Sequence, residues 1–414
     1  MVEPVTPVLV IGGGLSGLLS AVLLKDAGIE CRLIDARARW GGRIHSPGGI
    51  DLGPSWFWPG QARIEALISR LALTDAVFDQ HATGIAVGEW ADGTVARQAG
   101  LASMQGSLRL RGGFETLVSA LLAELDPEAI HLGHRATAIH RLEAGLVVDV
   151  DINDAELELE LELELESKSN TNTNTNTNTD TDTDTDTDTD TDTDTGTGND
   201  VNATVAATTR RFHAECVVLA LPPRLVSTGI AFSPALTDAT MTELANVPTW
   251  MAAQAKFAAV YREPFWRDAG LSGDAVSQRG PLVEVHDASA ASGRPCALSG
   301  FLGIPAQARH RQTAALIDAA THQLSRLFGA EAAQPLATHL TDWAFEASTT
   351  SAIDREAAAA HPPGGAPNLG VWNDRIVWAG SETAAPDGHA AGYLEGAVQA
   401  AERAAGSVID KHRR

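Results

Sequence analysis

The sequence predicts an α/β fold: a doubly wound domain with a central parallel sheet and an antiparallel β layer, joined to a smaller α+β domain built on a mixed sheet. Two observations predict it. Near the start, the apolar run Val8-Leu9-Val10-Ile11 leads into Gly12-Gly13-Gly14-Leu15-Ser16-Gly17 and then into an apolar-periodic stretch that stops at Gly28. Near the other end, Arg375-Ile376-Val377-Trp378-Ala379 is again a strand followed by a turn, and an alanine-rich helix opens from Gly392. Strand, turn and helix in that order build parallel sheets.

The first unit has the G-x-G-x-x-G spacing of a Rossmann-like dinucleotide cradle. Gly12 permits the tight turn, Gly14 lets backbone N–H groups approach a pyrophosphate, and Gly17 lets helix and strand pack closely. Leu15 and Ser16 sit where the positive end of the helix dipole meets the phosphates. The next apolar run, Cys31-Arg32-Leu33-Ile34, ends at Asp35, whose carboxylate can accept hydrogen bonds from both ribose hydroxyls. The expected cofactor domain spans 1–75, 109–150, 205–245 and 355–414, and the substrate domain 76–108 and 246–354.

Composition narrows the class. A chain of 414 residues with 44% hydrophobic content can bury a large core. Three scattered cysteines argue against a disulfide framework and for a reducing compartment. No signal peptide, membrane span or apolar tail is legible, so a cytoplasmic protein is expected. The net charge of −23 is mostly local: Asp151 to Asp200 holds 17 acidic residues against Lys168, a balance of −16, which leaves −7 elsewhere. No basic stripe suits nucleic acid.

That acidic stretch, 151–204, reads as a low-complexity insertion. Glu156 to Glu166 alternates Leu and Glu, the period of a strand, and Thr171 to Thr195 alternates Thr with Asn and then Asp. The second part has little to bury and repels itself, so disorder is expected. Evenly spaced acids without glycine turns form no ligand cage, and no metal is expected. Val147–Val150 leads in and Arg211–Ala220 leads out, so the insertion replaces a hairpin turn.

Asp35-Ala36-Arg37-Ala38-Arg39-Trp40-Gly41-Gly42-Arg43 resembles the second fingerprint of FAD-binding amine oxidases, where paired glycines let the chain cross the pyrophosphate and arginines neutralise it. Gly380-Ser381-Glu382 and Gly392-Tyr393-Leu394-Glu395-Gly396-Ala397 resemble the same family's closing signature. There the helix N-terminus faces the flavin pyrimidine and stabilises negative charge on the reduced ring. The resemblance extends over most of the chain. It implies non-covalent FAD, with Glu382 on the ribityl or phosphate region, Thr137 on the strand whose backbone meets adenine, Gly53-Pro54-Ser55-Trp56 passing the reactive face, and Trp343 beside the isoalloxazine. Lys256 falls where the family places a lysine that holds a water near flavin N5.

The family's substrate site is often an aromatic cage. Tyr393 fits one ring, the stretch after Trp343 offers no second, and Trp56 is expected to supply the missing wall. The resemblance implies that a neutral amine loses a hydride equivalent from its α-carbon to flavin N5, that the imine hydrolyses, and that electrons pass to O₂, giving H₂O₂. No general base stands out. Two alternatives share the cofactor domain: a desaturase of the phytoene or protoporphyrinogen type acting on C–C bonds, and a non-catalytic flavoprotein scaffold. The amine, the acceptor and the oligomeric state are not legible.

Overall fold

The computed structural model describes residues 6–100, 102–152, 208–356, 360–386 and 390–414. The strand expected over Glu156–Glu166 and the Thr-Asn/Asp run lie outside the described residues.

Among the described residues the first sheet has eight strands. Its parallel core runs, in spatial order, Ile130–His131, Cys31–Ile34, Thr6–Ile11, Thr208–Leu219 and Ile376–Trp378. These strands are Val/Ile/Leu runs because both faces are covered. The long strand Thr208–Leu219 serves two layers. Its second half pairs parallel with Thr6–Ile11, while its first half pairs antiparallel with Gly145–Ile152 in register Thr208 opposite Ile152. Gly145–Ile152 then pairs with His134–Leu142, and Ala231–Ser233 closes that edge. The parallel core and antiparallel layer agree with the fold class expected from sequence.

The helix Leu15–Asp26 is apolar all round because it is enclosed on all sides: Leu18, Leu19, Ala21, Val22 and Leu24 are buried between the sheet and the closing helix Leu394–His412. Gly17 is required by that packing, since a Cβ there would meet the Gly12 carbonyl oxygen at 1.8 Å. The closing helix offers Gly396, Ala397, Ala400, Ala401, Ala404 and Ala405 as its buried face, small residues that admit close approach.

A second, seven-stranded sheet runs Ala337–Asp342, Ala255–Tyr261, Cys296–Leu302, Leu282–Asp287, Leu271–Ser277, Ile85–Glu89 and Val95–Gln98. It is mixed, with Leu271–Ser277 and Ile85–Glu89 parallel. The helix Thr313–Phe328 covers one face through Leu316, Ala320, Leu324 and Leu327. No helix among the described residues is long and apolar enough to cross a membrane.

Because Ile152 and Thr208 are direct antiparallel partners, a two-residue Asn-Gly turn can join them. Replacing residues 153–207 with that turn is expected to leave the melting temperature and FAD binding within error of the parent chain. A loss of either, measured by thermal unfolding and visible absorbance, contradicts this.

Candidate active site

Two connected chambers open at the carboxyl ends of the parallel strands, where doubly wound sheets place their ligands. One, of about 260 Å³, is lined by Ile34, Asp35, Ala36, Arg135, Ala136 and Leu221 among others. The other, of about 550 Å³, runs from the glycine loop to the second sheet. Gly12, Asp35, Arg37 and Ser348 border both.

The cradle is built by backbone. Gly14 stands at the N-cap of Leu15–Asp26 with no side-chain cap, so the first-turn N–H groups face the chamber unsatisfied by protein. A Cβ on Gly14 would come no nearer than 3.9 Å to any neighbour. The protein itself therefore does not demand glycine here; the open space beside it does. Asp35, buried at 4% exposure, accepts from the Gly13 N–H at 2.6 Å and from the Arg37 N–H at 2.8 Å. It ties the glycine loop to the end of the second strand while lining both chambers. The closing helix likewise starts uncapped at Tyr393 and faces the larger chamber. Two helix N-termini directed at one elongated cleft suit a ligand carrying a pyrophosphate at one end and an electron-poor ring at the other. The residues present fit FAD. No cysteine lines either chamber, which suits non-covalent attachment.

Arg43 and Glu382 form an ion pair in the larger chamber. The guanidinium donates to both carboxylate oxygens, at 2.6 and 3.1 Å, and also to Ser381 Oγ and the Trp250 carbonyl. Glu382 has no exposed side-chain surface. Its carboxylate is engaged by Arg43, Ser381 Oγ and the Trp250 N–H. Glu382 lines the larger chamber while its carboxylate is also held by these protein partners. The other arginines are likewise anchored on protein. Arg37 binds Glu346 and Thr349, and Arg39 binds the carbonyls of Trp40, Gly42 and Ile44. Arg39 braces the Gly41-Gly42 turn, and Arg37 lines both chambers.

At the far end, Lys256 lies on the apolar strand Ala255–Tyr261 with 2% exposure. Its ammonium donates to Ser55 Oγ and to the Gly53 carbonyl at 3.3 Å, and sits over the Trp56 and Phe301 rings. Burial pulls its pKa down to about 7, against the pull of the Asp51 carboxylate, which raises it. Trp343 donates its indole N–H to the Leu52 carbonyl and lines the chamber beside Lys256.

The larger chamber brings together most of the residues expected from sequence: Gly12, Gly14, Leu15, Ser16, Asp35, Arg37, Gly42, Arg43, Gly53, Pro54, Ser55, Trp56, Lys256, Trp343, Gly380, Glu382, Gly392, Tyr393 and Leu394, while Ala36 borders the smaller one. Gly17 stays behind the loop as a packing residue. The strand expected to meet adenine borders the smaller chamber through Arg135 and Ala136; the register shifts between Ala136 and Ala138, so Thr137 is the bulged residue and its hydroxyl turns to the Asp149 carbonyl. Both rings expected of the aromatic wall, Tyr393 and Trp56, line the larger chamber. Tyr393 packs on Trp250 (5.5 Å) and His361 (5.5 Å), whereas Trp56 packs on His286. Trp250 escaped sequence reading; its only signal was a loop tryptophan just ahead of the lysine strand.

Residues 190–409 match the profile of flavin containing amine oxidoreductases, and residues 10–71 that of NAD(P)-binding Rossmann-like domains. The chain is 23% identical to a probable flavin-containing monoamine oxidase A of Dictyostelium discoideum, over 98% of this chain and 97% of that one. It is 30% identical to a putrescine oxidase of Kocuria rosea, over 50% of this chain and 42% of that one. Shorter matches of this second kind span less than half of the relative's length. Among solved structures, wild-type putrescine oxidase bound to putrescine superposes with a TM-score of 0.69 at 18% identity, covering 98% and 99% of the two chains. Cyclohexylamine oxidase from Brevibacterium oxydans gives 0.69 at 17%, covering 99% and 100%. Fold and site thus define an FAD-dependent flavoenzyme. The chain belongs to the flavin-containing amine oxidoreductase family. Amine oxidation is its chemistry, in place of the C–C desaturase and scaffold alternatives.

Two substitutions separate cradle from core. Gly14→Val is expected to leave the apoprotein folded and abolish FAD binding, read by circular dichroism and flavin absorbance. Arg43→Met leaves Glu382 buried without its partner and is expected to destabilise by about 3–5 kcal/mol, seen in urea unfolding.

Proposed function

We propose that this enzyme oxidises a small amine at its C–N bond and passes the electrons to O₂, forming the imine and H₂O₂. The observation that carries this reading is the buried Lys256, hydrogen-bonded to Ser55 and set between Trp56 and Phe301 in the chamber that also holds Tyr393. The loop Gly12–Ser16 and Asp35 would hold the nucleotide half of FAD, and Arg43, Gly380 and Gly392–Leu394 the flavin half. Bound FAD supplies the acceptor, at N5, for a hydride equivalent from the amine α-carbon.

The chain's own groups do the rest. Tyr393 and Trp250 form an aromatic wall that orients the amine and excludes water, and Trp343 closes the chamber beside Lys256. The uncapped N-terminus of Leu394–His412 offers a positive field to charge that develops during the reaction. Lys256 places a titratable cation where O₂ must be reduced. An ammonium there favours the negative charge that builds on O₂, and a neutral amine favours it less. Cytoplasmic residence is part of the same reading, supported by the scarcity of cysteine.

The direct test is an anaerobic titration with primary, secondary and amino-acid amines, followed by air. Flavin bands that bleach with an amine and return on aeration support the reading; bands that no amine bleaches overturn it. Lys256 titrates near pH 7 and is cationic below that value. The rate of O₂ reduction should therefore fall as pH rises through about 7. In Lys256→Met the rate should be lower by roughly 10–100-fold and carry no such inflection. An unchanged rate in stopped-flow reoxidation counts against this role.

A further inference from the structure

Beyond the cofactor and Lys256, the larger chamber has a third charged feature behind its wall. The strand Leu282–Asp287 is irregular between Leu282 and Glu284, and the bulge turns both Val283 and Glu284 toward the cleft. Two residues on, His286 lies on the same face but is 1% exposed. Its Nδ1 is hydrogen-bonded to Asp274 Oδ1 at 3.1 Å, on the neighbouring strand, and its Nε2, which lacks hydrogen-bond geometry, forms an ion pair with Glu284 Oε1 at 2.9 Å. The imidazole edge also packs on Trp56, with ring centroids 5.0 Å apart. Trp56 is held from its other side by Gln80, which accepts the indole N–H at 2.8 Å and donates to the Asp287 carbonyl. One buried ring thus touches both the carboxylate and the indole that border the amine end.

We propose that His286 is a positioning residue for substrate binding: bridged between Asp274 and Glu284, it fixes the Glu284 carboxylate and the Trp56 ring in the chamber wall, and releases both when it loses its proton. The proposal rests on the amine-oxidase reading of the same chamber. The charged groups facing His286 are Asp274 from the adjacent strand and Glu284 from its own; Lys256 lies beyond the Trp56 ring, and Asp287 turns away to Arg267 and Trp266. Burial alone would favour neutral imidazole, but the two carboxylates outweigh it and hold the pKa above the usual histidine value. An imidazolium between two carboxylates leaves one net negative charge in the row. A neutral ring leaves two, and can donate to only one of them.

The test uses the FAD-loaded full chain and an amine that bleaches the parent enzyme. In His286→Gln the flavin spectrum should be retained, KM should rise by about tenfold at pH 6, and kcat should change less than about twofold. Asp274→Asn removes one of the two carboxylates that raise the imidazole pKa, the one outside the chamber lining. Between pH 6 and 8.5 its KM should climb toward that of His286→Gln at lower pH than the parent's does. If Asp274→Asn follows the parent KM across this range, or if both variants lower kcat and leave KM alone, His286 does not position substrate. If no amine bleaches the parent, the amine-oxidase reading fails instead.

Discussion

Arg43 and Glu382 lie 339 residues apart in sequence and meet through two hydrogen bonds, the shorter 2.6 Å. The pair joins the turn after the second strand to the turn before the closing helix, so it couples the two ends of the cofactor domain. A carboxylate with no exposed surface is tolerable only when its charge is matched. Arg43 matches it and is held in turn by Ser381 and the Trp250 carbonyl. The Trp250 N–H returns to Glu382 at 3.3 Å. Hence one ion pair sets the entry of the closing helix, the path of the Gly41-Gly42 turn, and the loop that carries the aromatic partner of Tyr393. Charge matching in the floor of the cleft therefore reaches the wall where substrate sits.

Legibility followed the range of the forces involved. The glycine loop was readable because its constraints are local: Gly17 must lack a side chain for the helix to lie on the strand, and Asp35 must follow at the strand end to meet Gly13. The closing unit was readable for the same reason. What sequence could not disclose was which polar group each arginine would choose. Arg37 finds Glu346 and Thr349 more than 300 residues away, a pairing set by how the second sheet docks. The bulge at Thr137 was likewise not legible, since one extra residue in a ladder leaves no mark on the sequence pattern and changes which side chains face the cleft. Trp250 was invisible because a tryptophan in a loop has no periodicity to betray its direction.

The two halves of the cleft are stabilised differently. The nucleotide half depends on backbone N–H groups and helix ends, which are fixed once the sheet forms. The amine half depends on buried side-chain charges: Lys256 against Ser55 and the Gly53 carbonyl, Asp51 against Ser46 and the Phe114 N–H, and the row through His286. Burial raises the Asp51 carboxyl above its usual range and lowers the Lys256 ammonium, and the attraction between the two charges opposes both shifts.

The strand Thr6–Ile11 has Cys31–Ile34 on one side and Thr208–Leu219 on the other. During synthesis its first neighbour emerges almost at once, but the second follows some 200 residues later, about 10–40 s at ribosomal rates of roughly 5–20 residues per second. Throughout that interval the most hydrophobic edge in the domain is unpaired, and the helix behind it lacks the alanine face of Leu394–His412. Any stall in translation between residues 35 and 208 therefore prolongs the time in which that edge is open to non-native pairing.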